Sequence, residues 1–177
     1  LEYGLVKEGF KSGKYQRPYL VFLHGTSRRS KLWRIDEWIE LSKIVDKAGY
    51  KVYLPWGNKD EHEYASVISA KTNNARVLSR MQLGEIAGLL AQASGVVGVD
   101  TGLAHLAAAL NIPAVTLYVD TNPNLTGACG LNQTCLSQKK NAGRQIRMAG
   151  LETHYHKAIA ANDVWQCLKD KIRRNTD

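Results

Sequence analysis

Cysteine is scarce in this 177-residue chain, which contains only Cys129, Cys135 and Cys167. An odd number of thiols without metal-ligand spacing argues against a disulfide framework and against a zinc site. His154 and His156 lie close together in the sequence, but they have no obvious third ligand beside them. We therefore expect no bound metal ion.

Long apolar runs are also missing, since no stretch approaches the ~20 residues that a helix needs to cross a bilayer. Hydrophobic residues make up 44% of the chain and charged residues 23%, which is typical of a globular protein with room for one sizeable core. The first residues contain neither an initiating Met nor a basic start followed by an apolar segment. We interpret the chain as a fragment or processed product located in the cytoplasm.

Acidic residues are outnumbered, and the net charge of +8 is concentrated at the two ends. Residues 1–34 carry 8 basic and 2 acidic groups, residues 35–138 carry 7 and 10, and residues 139–177 carry 9 and 4. This distribution favours anionic partners such as phosphorylated small molecules, nucleic acid or an anionic membrane. We do not expect nucleic acid, because the basic residues near the end lack interleaved aromatics and are typical of a solvated face. These basic residues are Lys139, Lys140, Arg144, Arg147, Lys169, Lys171, Arg173 and Arg174.

The most informative stretch begins with Gly95–Val99, a short run that predicts a buried strand. A tight turn and a run of good helix formers follow, so we predict a helix capped by Asp100 or Thr101. Such a helix presents free N–H groups and its positive dipole end, which suit an anion. Gly102 would allow a ligand close to the backbone, and His105 lies one turn into the helix. The alternative is an ordinary helix start with His105 in the core.

The rest of the chain alternates predicted strands and helices. The predicted strands cover residues 18–23, 51–54, 113–118 and, as the last one, 134–136, with residues 75–78 as an edge strand or an extended loop. The predicted helices run from a cap at Asp36 to a stop at Gly49, over 60–70 and 82–93, and over 164–174 with a cap at Asn162 or Asp163. Residues 1–17 resemble a linker or approach segment, and residues 137–161 have no clear pattern. The alternation predicts an α/β fold, a Rossmann-like open parallel sheet with helices on both faces, over residues 18–177.

Three polar loops follow predicted strands, and in a parallel sheet all three share the carboxyl rim where ligands bind. Besides the turn at Asp100, residues 24–33 offer the hydroxyls of Thr26 and Ser27 and the ammonium of Lys31, although they form no Walker motif. Residues 119–127 form the third loop. A solvated connecting loop is the alternative for each of them taken singly. Together they predict a nucleotide-diphosphate site.

Two further residues fit a nucleoside at that rim. Glu61, near the start of its helix, can accept hydrogen bonds from a ribose-like diol, and the thioether of Met81 can contact a flat ligand. The alternatives are a surface carboxylate stabilised by the helix dipole for Glu61 and a core residue that fills a gap for Met81.

Four motifs together resemble a known family. In order and spacing, they are similar to the carboxyl-terminal half of the lipopolysaccharide heptosyltransferases, most closely the heptosyltransferase I members, over about residues 18–136. The motifs are His24-Gly-Thr-Ser-Arg-Arg-Ser-Lys-Leu-Trp33, Leu54-Pro-Trp-Gly57, Asp100-Thr-Gly-Leu-Ala-His-Leu-Ala-Ala-Ala-Leu110 and Thr121-Asn-Pro123. One departure is Tyr118-Val-Asp-Thr121, where the family often has a Gly-Pro-Thr-like turn.

The resemblance implies a GT-B architecture, in which two Rossmann-like domains enclose a cleft and this half holds ADP-heptose. It also implies roles for nine donor-binding residues. These are Thr26, Ser27 and Lys31 at the diphosphate and heptose, Glu61 at the ribose, Met81 near the adenine, and Asp100, Thr101, Gly102 and His105 around the sugar and phosphates.

The resemblance further implies an inverting transfer, in which a Kdo hydroxyl of Kdo-lipid A attacks the anomeric carbon and ADP leaves. Lys31 and the helix near Thr101 would stabilise the charge on the leaving diphosphate, without a metal or a cofactor. The family's amino-terminal domain supplies the acceptor site and the general base, and this chain has no room for it. We therefore expect donor binding without turnover, and basic flanks that hold the enzyme on the cytoplasmic face of the anionic inner membrane.

Two other functions remain open from the sequence. A nucleotide-sugar epimerase or hydrolase of GT-B type would use a similar donor half. A non-catalytic nucleotide-binding domain would use a similar rim without chemistry.

Overall fold

The computed structural model describes residues 15–123, 127, 130–138 and 152–175. Within these ranges, seven strands form one sheet in the order β3-β2-β1-β4-β5-β6-β7, and every neighbouring pair is parallel. The strands are β1 (Tyr19–Leu23), β2 (Lys51–Leu54), β3 (Ala75–Val77), β4 (Gly95–Val99), β5 (Ala114–Tyr118), β6 (Gln133–Ser137) and β7 (Glu152–Tyr155). The helices are α1 (Ile35–Lys47), α2 (Lys59–Ala70), α3 (Leu83–Ala91), α4 (Gly102–Ala109) and α5 (Ala161–Arg174).

The sheet is buried between helices on both faces. Leu20 and Phe22 of β1 pack in the cluster that contains the apolar residues of α1, α2 and α5. Tyr19, Val21 and Leu23 of the same strand pack in a second cluster with α3 and α4. Successive side chains of a strand point to opposite faces, so β1 is apolar throughout because both faces are covered. The predicted Rossmann-like α/β fold is confirmed.

Several predicted boundaries need correction. Asp36 does not cap α1, which begins at Ile35 after Arg34 without a side-chain cap, and Asp36 lies in the first turn. Asn162 and Asp163 likewise lie within the first turn of α5 instead of capping it. Acidic side chains are favourable in a first turn as well as at the cap, so composition alone leaves the start uncertain by a residue or two.

The end of α1 and the strand at one edge of the sheet can also be compared with the predictions. Gly49 has a φ of +86°, the left-handed backbone that ends a helix, as predicted for α1. The residues predicted as an edge strand or a loop form β3, which pairs with β2 from Val52–Ala75 to Leu54–Val77.

The predicted last strand at residues 134–136 is not the last, because β7 follows it at the edge of the sheet. The side chains of β7 alternate between exposed and half-buried, and its sequence Glu-Thr-His-Tyr is polar. A strand on a half-covered edge has no apolar run, so the pattern that revealed β1 does not reveal it. Residues 139–151 of the stretch without a clear pattern, Cys129 and residues 1–14 of the predicted linker lie outside the described residues.

Lys171 departs from the prediction of a solvated basic face. Its side chain is buried, and its Nζ lies 2.8 Å from Glu152 Oε2 and donates to the carbonyl of Leu131 at 3.2 Å. The hydrogen bond from Lys171 lowers the pKa of the Glu152 carboxyl, and His154 contributes in the same direction. Lys171 therefore fastens α5 to β7 and to the loop before β6.

Replacing Lys171 by Met is expected to lower the free energy of unfolding by about 1–2 kcal/mol, a modest value because Glu152 stays partly exposed. The pKa of Glu152 is lower in the folded state, so its stabilisation is present above the unfolded-state pKa and is lost as the pH falls through the folded-state pKa. Urea unfolding of both chains from neutral pH to about pH 3 should show the difference shrinking in acid. Lys169→Met on the same helix is the control, and an equal loss there would refute the assignment.

Candidate functional site

A cleft of about 800 Å³ opens at the carboxyl rim of the sheet, between the loops that follow β1, β2, β4 and β5. All nine residues predicted to bind the donor line this cleft. They are Thr26, Ser27, Lys31, Glu61, Met81, Asp100, Thr101, Gly102 and His105. The structure thus brings together residues that are up to 79 positions apart in the sequence, from Thr26 to His105. Their roles toward a ligand stay predictions.

An ion pair connects two of the loops. The loop after β1 forms a turn of 3-10 helix at Arg29–Lys31, and Lys31 Nζ lies 2.7 Å from Asp100 Oδ2. Thr121 Oγ1, in the loop after β5, donates to the same carboxylate oxygen at 2.8 Å. Asp100 is 7% exposed, so its charge is largely removed from water and depends on these two donors. The three side chains hold three rim loops against one another.

The start of α4 faces the cleft. Of the two predicted caps, Thr101 is the one observed, since its Oγ1 accepts a hydrogen bond from the backbone N of Leu103 at 3.1 Å. A side chain added at Gly102 would meet nothing within 4 Å, so the backbone there is open to a ligand. His105 is half-buried and lines the cleft, in contrast to the core position that was the alternative. This helix start can accommodate an anion.

Glu61 lines the same cleft from the first turn of α2. α2 begins after Asn58, whose side chain accepts from the backbone N of Glu61 at 3.0 Å. The Glu61 carboxylate folds back, and its Oε2 accepts from the backbone N of Gly57 at 2.7 Å. Its Oε1 has no hydrogen-bond partner among the residues that the structure describes. One oxygen of this carboxylate is thus fixed and the other is available to a ligand.

Three residues of the site were not singled out by sequence reasoning, although each lies in or next to a quoted motif. Gly25 packs directly against Glu61, because a Cβ built on it would lie 2.4 Å from Glu61 Cδ. Trp56 lines the cleft and donates its indole N–H to the carbonyl of Leu78 at 2.6 Å. Thr121 orients Asp100, as described above. Only contacts across the fold distinguish these residues from ordinary turn residues.

In the part of the chain that the structure describes, no group of three or more His, Cys, Asp or Glu side chains is arranged to hold a metal ion. His154 lies 3.1 Å from Glu152, and His156 lies 3.3 Å from Asp163. Cys135 and Cys167 form no disulfide with each other. No described helix is long and apolar enough to span a bilayer.

Comparison with known proteins connects this cleft to a family. A model of glycosyltransferase family 9 (heptosyltransferase) matches residues 5–156. This chain belongs to glycosyltransferase family 9. Its relatives include lipopolysaccharide heptosyltransferase 1 of Pseudomonas aeruginosa, which is 45% identical over 135 residues, or 76% of this chain and 38% of that protein. The chain therefore spans about two fifths of the length of this family 9 relative.

Solved heptosyltransferase structures share the fold. The Escherichia coli heptosyltransferase WaaC with ADP superposes with a TM-score of 0.72 at 34% identity, over 86% of this chain and 44% of that one. The same enzyme with ADP-2-deoxy-2-fluoro heptose gives a TM-score of 0.66 at 28% identity, over 92% and 51%. Both structures hold a nucleoside diphosphate or its sugar derivative, and a nucleotide-diphosphate site is what the three rim loops predict for this cleft.

Proposed function

We propose that this chain binds ADP-heptose as the donor half of an inverting heptosyltransferase, which transfers heptose to Kdo-lipid A in the lipopolysaccharide inner core. Family membership and the nucleotides held by the WaaC structures support the proposal. The observation that carries it is the cleft in which Lys31, Asp100, Glu61 and the open start of α4 face one another. These groups match a cation for a diphosphate, a carboxylate for a ribose and a helix start for an anion.

Lys31 is the residue that stabilises the leaving diphosphate in this proposal. Its ammonium has three N–H donors, and among the described residues only Asp100 takes one of them. The other two can donate to the diphosphate, and the hydroxyls of Thr26 and Ser27 line the same wall. As the bond between the anomeric carbon and the diphosphate oxygen breaks, negative charge grows on that oxygen next to Lys31 and the N–H groups of α4. The protein supplies this charge balance without a metal.

The adenosine occupies the other end of the cleft. Glu61 accepts from the ribose hydroxyls through its available oxygen, and Met81 lies beside the adenine. The hydroxyl of Tyr15 lies 4.0 Å from the Met81 sulfur and limits where that side chain can move.

The bond-forming step needs a second domain. The acceptor hydroxyl must lose its proton to a general base and attack the anomeric carbon opposite the leaving diphosphate. We assign that base and the Kdo-lipid A site to a domain outside these 177 residues, in keeping with the longer family relatives. The chain alone is then expected to bind the donor and not to transfer heptose.

We also propose that the whole enzyme works on the cytoplasmic face of the inner membrane, where its lipid acceptor lies. The support is the basic excess in residues 1–34 and 139–177. The test is binding to anionic vesicles at increasing salt, because electrostatic attachment weakens as ions screen it. Salt-independent binding would contradict this part of the proposal.

Calorimetric titration tests the central proposal. The chain should bind ADP and ADP-heptose saturably, and chromatography should show the donor intact after incubation without an acceptor. Release of free heptose or of an epimer would favour a hydrolase or an epimerase instead. A chain that is folded by circular dichroism but shows no saturable ADP binding would overturn the donor-site proposal.

A further inference from the structure

We infer that His24 is a positioning residue, which holds Glu61 so that this site distinguishes a ribose from a deoxyribose. The inference rests on the proposed function, because it presumes that Glu61 meets the ribose of a bound nucleotide. His24 lies directly after β1 and beneath the rim, and it is 0% exposed. It therefore cannot itself reach a ligand in the main cleft, which it does not line.

His24 contacts the backbone of the residue it positions. Its Nε2 lies 3.0 Å from the carbonyl oxygen of Glu61, and its Nδ1 lies 3.4 Å from the carbonyl oxygen of Phe22. Burial lowers the pKa of His24, and the two carbonyls offset this only in part, so the ring is neutral near pH 7. A neutral ring has one N–H, and the shorter distance assigns it to Nε2 as donor to Glu61.

A ring contact reinforces this hydrogen bond. Tyr64 follows Glu61 by one turn of α2, and its ring stacks nearly parallel to that of His24, with an interplanar angle of 5° and 5.9 Å between centroids. The Tyr64 hydroxyl donates to the carbonyl of Trp33 at 2.6 Å. The first turns of α2 are thus tied to both ends of the loop that carries Thr26 and Lys31.

Two contacts define the observed position of the Glu61 side chain. Gly25 leaves the room that its Cδ fills, and the backbone N of Gly57 fixes Oε2. With the Glu61 backbone fixed by His24, the orientation of Oε1 is set from both ends. A carboxylate oxygen held in this way discriminates hydroxyl from hydrogen, since a site built for a hydroxyl loses a hydrogen bond to a charged group when the hydroxyl is missing.

The test compares the affinity of the purified chain for ADP with its affinity for 2′,3′-dideoxy-ADP. His24→Phe keeps a ring beside Tyr64 but removes the donor to Glu61. It should weaken ADP about tenfold and change the dideoxy nucleotide less than about twofold. His24→Gln restores a donor at similar reach and should keep the wild-type preference for ADP within about threefold.

A second variant and a stability measurement keep the test decisive if His24→Phe does not fold. His24→Asn is too short to reach Glu61 but keeps a polar group near Phe22, so it should repeat the His24→Phe result if that variant does not fold. Thermal unfolding of each variant shows whether the domain is intact. An equal loss for both nucleotides would reduce His24 to a structural residue and overturn the inference.

Glu61→Ala separates this inference from the proposed function. If the wild type prefers ADP and Glu61→Ala removes the preference while both donor-lacking His24 variants keep it, only the role of His24 fails. If the wild type shows no preference for ADP, or Glu61→Ala leaves the preference unchanged, the ribose role of Glu61 fails and the inference falls with it.

Discussion

Replacing Lys31 by Met is expected to weaken ADP binding about 100-fold, near 3 kcal/mol, because it removes a cation and leaves a carboxylate behind. Lys31 Nζ is 2.7 Å from Asp100, which is 7% exposed. Without Lys31, a largely buried negative charge would lie next to the diphosphate, and Thr121 would be its remaining side-chain donor among the described residues. The diphosphate then loses its attraction to the Lys31 ammonium and is repelled by the Asp100 carboxylate. Isothermal titration measures the change directly.

Lys59→Met is the matched control, because the Lys59 side chain is 88% exposed and does not line the cleft. It should change ADP affinity less than about twofold, since a screened surface charge contributes little. If the leftover Asp100 charge causes part of the loss, Asp100→Asn added to Lys31→Met should recover some affinity. Lys31→Met should weaken the binding of AMP, which has one phosphate fewer, by a smaller factor than it weakens the binding of ADP. Equal losses for Lys31→Met and Lys59→Met would contradict the diphosphate assignment.

The fold could be predicted from the sequence because a strand that is buried on both faces is a continuous apolar run. β1, β2 and β4 are short apolar runs that end at turn residues, and each predicted span lies within a residue of the observed strand. The parallel order then places their carboxyl ends on one rim, and the convergence of Lys31 with Asp100 follows from that topology. β7 was missed because an exposed edge strand does not need apolar residues.

The parts of the site that escaped prediction depend on distances that no local pattern encodes. Thr121 is one of several hydroxyls in a polar loop, and only its 2.8 Å contact with Asp100 distinguishes it. Lys171 belongs to a basic run, and its burial follows from the position of β7, which was itself not predicted. His24 and Gly25 belong to the motif at residues 24–33, but their contacts with Glu61 form only when α2 is folded against the end of β1.

Gly25→Ala is expected to weaken ADP about 30-fold while costing no more than about 1–2 kcal/mol of unfolding free energy. No left-handed backbone angle is needed at Gly25, so the obstacle is contact: the new Cβ would lie 2.4 Å from Glu61 Cδ and 2.6 Å from Oε1. These atoms end a flexible side chain, which can swing away from the backbone N of Gly57. The fold then loses one exposed hydrogen bond, whereas the site loses its ribose carboxylate. Titration and urea unfolding measure the two effects separately.

Gly84→Ala is the control of the same chemistry, since a Cβ at this α3 position would meet nothing within 4 Å. It should stabilise the helix by up to about 1 kcal/mol and leave ADP affinity unchanged. Gly25 itself lines the cleft. The methyl group that Gly25→Ala adds could therefore weaken ADP binding in two ways, by contacting the ligand directly or by displacing the Glu61 carboxylate. A double-mutant cycle distinguishes these two causes: Gly25→Ala should cost little affinity once Glu61 is already Ala. A full 30-fold loss in that background would mean that the methyl group excludes the nucleotide, and Glu61 would no longer explain why this position is glycine.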